Sequence, residues 1–157
     1  MVSSPPSSDP ELRFETTLMV KDCCLCLHVQ RAARALGRRF DEALRPHGLT
    51  NGQFSLLMSL NRPEPPDMAS VASLLAMDRT TLTAALKPLI RRGLVKVVTN
   101  PSDRRGRRLK LTPQGRTLLG TAVPVWEHTT MEVEALLDDG DSIRLRGNLH
   151  ALSQSLH

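Results

Sequence analysis

Residues 78–119, DRTTLTAALKPLIRRGLVKVVTNPSDRRGRRLKLTPQGRTLL, constrain the fold more than any other part of this chain. Asp78 is a good N-cap, because a short carboxylate accepts from the free backbone N–H groups of a first helical turn. Behind it, Leu82, Ala85, Leu86, Leu89 and Ile90 recur at helical spacing and give one apolar stripe up to Arg92. Pro88 lies inside this stripe and is expected to bend the helix. Gly93 is the expected left-handed terminator. Val95, Val97 and Val98 then read as a short strand, residues 100–106 as a turn, and residues 107–111 as the returning strand. Thr112 and Pro113 restart a helix, with Thr as cap and Pro in the first helical position. Such a hairpin has too little apolar face to stand alone and must pack on helices.

Upstream, residues from about 17 to 44 carry Leu18, Leu25, Val29, Ala32, Ala33, Leu36, Phe40 and Leu44 at helical spacing, with Arg31, Arg34, Arg38 and Arg39 on the polar side. Pro46 and Gly48 close this helix. Thr50 with Gln53 forms a T-x-x-Q capping box, so a second helix begins at about Asn51. The run RPEPPD at 62–67 cannot be helical. A short helix follows from Met68 to about Ala76, with Val71, Leu74 and Leu75 expected to face inward. Downstream, the helix opened by Pro113 is expected to continue to about Leu137 with a kink at Pro124. A final helix covers about 143–156. The fold class is therefore mainly α with a small β-hairpin. It divides into a disordered Pro/Ser tail (1–15) and a single domain (16–157). Within that domain, a winged lobe (about 50–112) joins terminal helices (about 17–45 and 113–156).

The bulk numbers exclude several classes. At 157 residues the chain is about one domain long. Its net charge of +5 hints at a polyanionic partner. Aromatics make up 3% with no Tyr, which argues against single-strand binders that stack bases on aromatic platforms. No apolar run approaches a membrane span, and the N-terminus lacks a secretory pattern. Cys23, Cys24 and Cys26 are odd in number and too close together for a disulfide framework, which points to the cytoplasm. No paired carboxylates, nucleophile motif, phosphate loop or metal box is visible, so neither catalysis nor a cofactor or metal is expected.

The charge is placed where duplex DNA can use it. In a helix-turn-helix the second helix enters the major groove by its N-terminal end while the first braces it. Residues 68–76, the turn Met77-Asp78 and the helix from Arg79 fit that order. Arg79, Thr80, Thr81 and Thr83 lead, and Lys87 follows at backbone distance. A Thr hydroxyl meets base edges and its methyl meets thymine. The plainer alternative is that Thr80 and Thr81 only help cap the helix. Asp103, Arg104, Arg105 and Arg107 load the hairpin tip, and arginines there suit a narrow, negative minor groove. Asp103 is suited to orient one of the arginines after it. An isolated run of this kind is usually a solvated turn; its position directly after a recognition-type helix favours DNA.

The segments D-R-T-T-L-T…L-x-x-L-I-R-R-G-L-V, P-S-D-R-R and L-T-P-Q-G-R, with L-R-P-H-G-L-T-N-G-Q-F-S-L-L upstream, resemble the MarR family of bacterial winged-helix regulators over about residues 24–152. The resemblance implies a homodimer built from the first and last two helices. It implies recognition helices in successive major grooves of a pseudo-palindromic site, with Arg104 or Arg105 in the minor groove. Half-sites would lie about 10 bp apart. Independently, Leu136, Leu137, Ile143, Leu145, Leu149 and Leu152 give the C-terminal helices more apolar surface than a winged lobe can cover.

The resemblance also implies an effector. The cluster D-C-C-L-C-L-H has three readings: buried small hydrophobes, a redox sensor at Cys26 with Cys24, or a metal pair at Cys24 and His28. Cys26 falls where the peroxide-sensing branch of the family has its reactive cysteine, but that branch sets tyrosines around the thiol and this chain has none. His28, Arg31, Met58 and Trp126 are candidates for a small-molecule pocket, with Arg31 suited to a carboxylate. The expectation is thus a sequence-specific DNA-binding regulator, a repressor released by a small-molecule or redox effector. The alternative is an architectural or adaptor module without effector response.

Overall fold

A computed structural model describes residues 12–100, 103–138 and 141–154, with the side chains of Asn100, Asp103, Arg104 and Arg105 outside the described set. The chain divides into two compact units, Met1–Gly37 and Arg38–His157.

The first unit contains α1 (Phe14–Cys23) and the opening of α2 (Leu25–Leu44). One continuous helix was expected here, and the chain instead breaks at Cys24, which is extended (φ −74°, ψ 100°). The reason is local. The Cys24 Sγ accepts the Leu27 backbone N–H at 3.4 Å, and its carbonyl accepts from His28 N–H at 3.1 Å. The thiol thus takes the place an N-cap oxygen usually holds and satisfies one of the free donors of α2. Leu18, Leu25 and Leu36 are exposed within the single chain.

The second unit holds the core. After α2 and a 3-10 turn at Arg45–His47 come α3 (Asn51–Ser59), α4 (Met68–Leu74), α5 (Arg79–Arg91), β1 (Val95–Asn100), β2 (Asp103–Leu111), α6 (Pro113–Glu134) and α7 (Asp141–Gln154). The expected caps form. Thr50 and Gln53 make the reciprocal capping box of α3. Asp78 and Thr112 accept from Thr81 and Gly115 N–H to open α5 and α6, and Asp67, not singled out from the sequence, accepts from Ser70 N–H to open α4. Gly93 is left-handed at φ 69°, a conformation a Cβ disfavours, and it turns the chain from α5 into β1. Pro88 and Pro124 both lie inside their helices.

Leu44, Phe54, Leu56, Leu57, Val71, Leu82, Leu86, Leu89, Leu94, Leu109, Leu111 and Leu119 form one buried cluster, each side chain contributing about 1.5–3 kcal/mol relative to exposure. Val95, Leu109 and Leu111 are the hairpin's contribution, so it packs on the helices as its small apolar face requires. One inward assignment fails, since Leu74 is 58% exposed, and Ile90 at the end of the α5 stripe is 40% exposed. Periodicity marks a side chain as apolar, and its cover depends on what packs opposite. The helix α6 ends earlier than expected, at Glu134, and the end expected for α7 near residue 156 lies outside the described residues.

Candidate nucleic-acid interface

The short α4 ends at Leu74, and Ala76 follows with φ 49°. A left-handed alanine costs about 1–2 kcal/mol. Here it lets the Met77 N–H reach the Ala72 carbonyl at 2.9 Å and turns the chain sharply. Asp78 is then in place to cap α5. Its Oδ1 accepts the Thr81 N–H at 2.7 Å and its Oδ2 accepts the Thr81 hydroxyl at 2.7 Å. These bonds, the backbone one first, hold the Asp78 carboxyl below its usual pKa. The Thr81 hydroxyl proton is therefore committed to the cap, as the plainer reading of this residue held. The Thr83 hydroxyl donates to the Arg79 carbonyl at 2.7 Å.

Leu82, Leu86 and Leu89 turn α5 against the core. That leaves Arg79, Thr80, Thr81, Thr83 and Lys87 exposed. Thr80, Thr83 and Lys87 stand three and four residues apart, which puts them on one face of the helix. Neither Arg79 nor Lys87 has an ion-pair partner among the described residues. The surface so formed is cationic and hydroxylic, with methyl groups between, and it suits phosphates and base edges more than a neutral partner.

The hairpin is longer than the sequence reading allowed. A turn was expected over 100–106, yet the antiparallel ladder extends to Asn100↔Asp103. Between Thr99↔Arg107 and Asn100↔Asp103 the register shifts, so Arg104, Arg105 and Gly106 are extra residues on β2. A bulge of this kind bends and twists a strand where a hairpin must present its tip. The expected interaction of Asp103 with its neighbouring arginines, and the side chains of Arg104 and Arg105, lie outside the described residues. Arg107 is exposed.

Arg108 has a role its place in the arginine run did not suggest. Leu109 N–H bonds to Pro66 O at 2.9 Å, and Asp67 bridges Arg108, so the loop before α4 is tied to β2 by a single antiparallel bridge. The Arg108 Nη1 donates to Pro65 O at 3.2 Å and sits 3.9 Å from Glu64. This arginine braces the loop to the wing. Strand alternation was the available signal: Arg107 and Arg108 must face opposite ways.

Of the pocket candidates, Met58 and Trp126 come together with Phe54, Ser59, Arg62 and Leu74 around a cavity of about 340 Å³. The Trp126 and Phe54 rings stack at 6.0 Å. Phe54 and Arg62 were not singled out from the sequence. His28 and Arg31 lie in the first unit and are exposed there; the His28 Nε2 is 3.2 Å from Asp22 O. Cys23 and Cys26 are exposed and Cys24 half-buried, with Gln30 Nε2 3.3 Å from the Cys26 Sγ. Among the described residues no helix is long and apolar enough to cross a membrane. Nor do three or more His, Cys, Asp or Glu side chains converge there as a metal would need.

A family model described as the MarR family matches residues 49–106. The chain is 35% identical over 141 residues to the HTH-type transcriptional regulator TtmR of Methylorubrum extorquens, covering 85% of this chain and 71% of that one. Among solved structures, the transcriptional regulator MosR of M. tuberculosis in complex with DNA superposes with a TM-score of 0.75 at 41% identity, covering 84% of this chain and 95% of that one. BpsR of Bordetella bronchiseptica, whose DNA binding is regulated by 6-hydroxynicotinic acid, superposes with a TM-score of 0.76 at 26% identity, covering 83% and 94%.

Proposed function

Since the chain belongs to the MarR family of DNA-binding transcriptional regulators, we propose that it is a homodimeric, sequence-specific repressor acting in the cytoplasm and released by an effector. This is a family of regulators and not of enzymes. The observation that carries the proposal is the leading end of α5, where Arg79, Thr80, Thr81 and Thr83 stand exposed with Lys87 behind them. Arg79 and the threonine methyls would read base edges, and Lys87 would meet a phosphate. Arg104 or Arg105, with Arg107 beside them and Asp103 orienting, would enter the minor groove. Two such lobes on a two-fold axis would take a pseudo-palindromic operator with half-sites about one helical turn apart.

An effector would act by changing the separation of the two recognition helices, since a shift of a few ångströms loses the match to successive grooves. The cavity at Met58 and Trp126 supports a small-molecule input, in line with the 6-hydroxynicotinic acid response of BpsR. His28 and Arg31, in the first unit, are kept as separate candidates for an effector contact. Cys26 and Cys24 support a redox input, because both lie at the start of α2.

In vitro site selection with the purified protein tests the reading. Recovery of a dyad-symmetric site is the expected result, and no preference among random duplexes would overturn it. Operator affinity before and after mild peroxide, in native and Cys26→Ser protein, separates the inputs: an affinity unchanged in both removes the redox branch.

A further inference from the structure

We propose that Lys96, Lys110 and Arg116 form a second phosphate-binding surface at the foot of the wing, which takes the sugar–phosphate backbone of DNA flanking the operator. Strand alternation sets up the first two. Val95, Leu109 and Leu111 turn into the core, so Lys96 and Lys110 turn away from it, and the register places them directly opposite each other. Like charges facing across an antiparallel pair repel. No carboxylate among the described residues pairs with either lysine or with Arg116.

Arg116 is delivered to the same place by a tight junction. The Thr112 hydroxyl donates to Gly93 O at 2.6 Å, and Thr112 N–H bonds to Leu94 O at 3.0 Å. Gly115 then lies so close to Leu94 that a Cβ would stand 2.1 Å from its carbonyl oxygen. The first turn of α6 is thus held against the start of β1, and Arg116 cannot drift from the lysines. The three cations, with Pro113 and Thr117, line a concavity of about 480 Å³.

The chemistry of this surface is narrow. Three cations favour an oxyanion, while the Thr117 hydroxyl is already given to Pro113 O at 3.1 Å and no aromatic side chain lines the concavity to stack a base. Continuity selects DNA as the source. Lys96 lies on the same strand as Thr99, about 10 Å along it, and Thr99 pairs with Arg107 just before the bulge that leads to the wing tip. A hairpin whose tip entered a minor groove would bring its foot toward the backbone beyond that groove. The inference rests on the reading that the wing enters DNA.

The test uses the full chain and two operator duplexes, one ending at the half-sites and one with about 10 bp more on each side. Affinity is read by fluorescence anisotropy across a salt series. Native protein is expected to bind the longer duplex at least about tenfold more tightly at low salt. The Lys96→Gln/Lys110→Gln/Arg116→Gln protein is expected to bind both alike, with a salt slope on the longer duplex shallower by about 5, since each lost phosphate contact removes about 0.9 and the proposed dimer carries the three cations twice. Circular dichroism verifies its fold, and each single variant, present in both protomers, should remove about two units of slope. The proposal is overturned if the triple variant keeps the gain from the flanks. It is equally overturned if that variant loses equal affinity on both duplexes, or matches native protein on both, which would leave the patch to an acidic protein. Failure of the DNA reading itself looks different: native protein would then show no preference for the operator over random duplex.

Discussion

A methyl group on Gly115 would meet the Leu94 carbonyl oxygen at 2.1 Å, with the Leu94 carbonyl carbon at 3.0 Å behind it. These are backbone atoms at a helix–strand junction and cannot swing aside. Gly115→Ala should therefore lower stability by about 1–3 kcal/mol or more, read as a lower urea midpoint with unchanged slope. The capping aspartates act at the same scale through charge. Hydrogen bonds from Ser70 lower the Asp67 pKa, and those from Thr81 lower that of Asp78. A carboxyl whose folded pKa is depressed contributes stability that is present above its unfolded pKa, about 3.9, and lost as pH falls through the folded value. The difference in urea midpoint between native protein and Asp78→Ala should thus be largest near neutrality and shrink below about pH 4. A difference that stayed constant down to pH 2 would mean that the cap does not act through its charge.

At the scale of elements, the helix-turn-helix and the wing are joined more firmly than a string of predicted pieces suggests. The loop before α4 is bridged to β2 through the Leu109 N–H bond to Pro66 O, and Arg108 reinforces the seam through Pro65. Not every cation in the run R-R-G-R-R is therefore available to DNA. On the proposed function, Arg104→Ala or Arg105→Ala should weaken operator binding by about 1–3 kcal/mol in gel shifts. Two unchanged affinities would remove the wing from the interface. The start of α5 was legible because caps are local: Asp78 needs only the three residues after it. The break at Cys24 was not, because a thiol is not among the usual capping groups and the apolar spacing runs straight through it. The bulge in β2 was missed for a related reason, since residues rich in Arg and Gly read as turn whether or not their backbone is paired.

At the scale of the whole molecule, apolar surface is left over. In the second unit Leu136, Ile143, Leu145, Leu149 and Leu152 are each more than 40% exposed, and Leu12, Phe14 and Met19 of the first unit are likewise uncovered. On α7, Leu145, Leu149 and Leu152 stand four and three residues apart, and an uncovered apolar stripe of this kind marks an interface. On the proposed homodimer, native protein should sediment as two chains at micromolar concentration. Leu145→Glu with Leu149→Glu should shift it toward one chain and reduce operator affinity by much more than a single contact, because one lobe alone reaches a single half-site. A double variant that stayed dimeric would place the interface elsewhere.

What the sequence by itself determined was local: caps at Thr50, Asp78 and Thr112, the left-handed exit at Gly93, and the alternation that sends Leu109 inward and Lys110 outward. Each is settled by interactions within a few residues, so a linear reading reaches it. Tertiary structure alone decided that Arg108 braces a loop, that Leu74 stays uncovered, and that Lys96, Lys110 and Arg116 meet with no paired carboxylate among the described residues. These depend on strand register and on what packs opposite, contacts between residues far apart in the chain that no local pattern encodes.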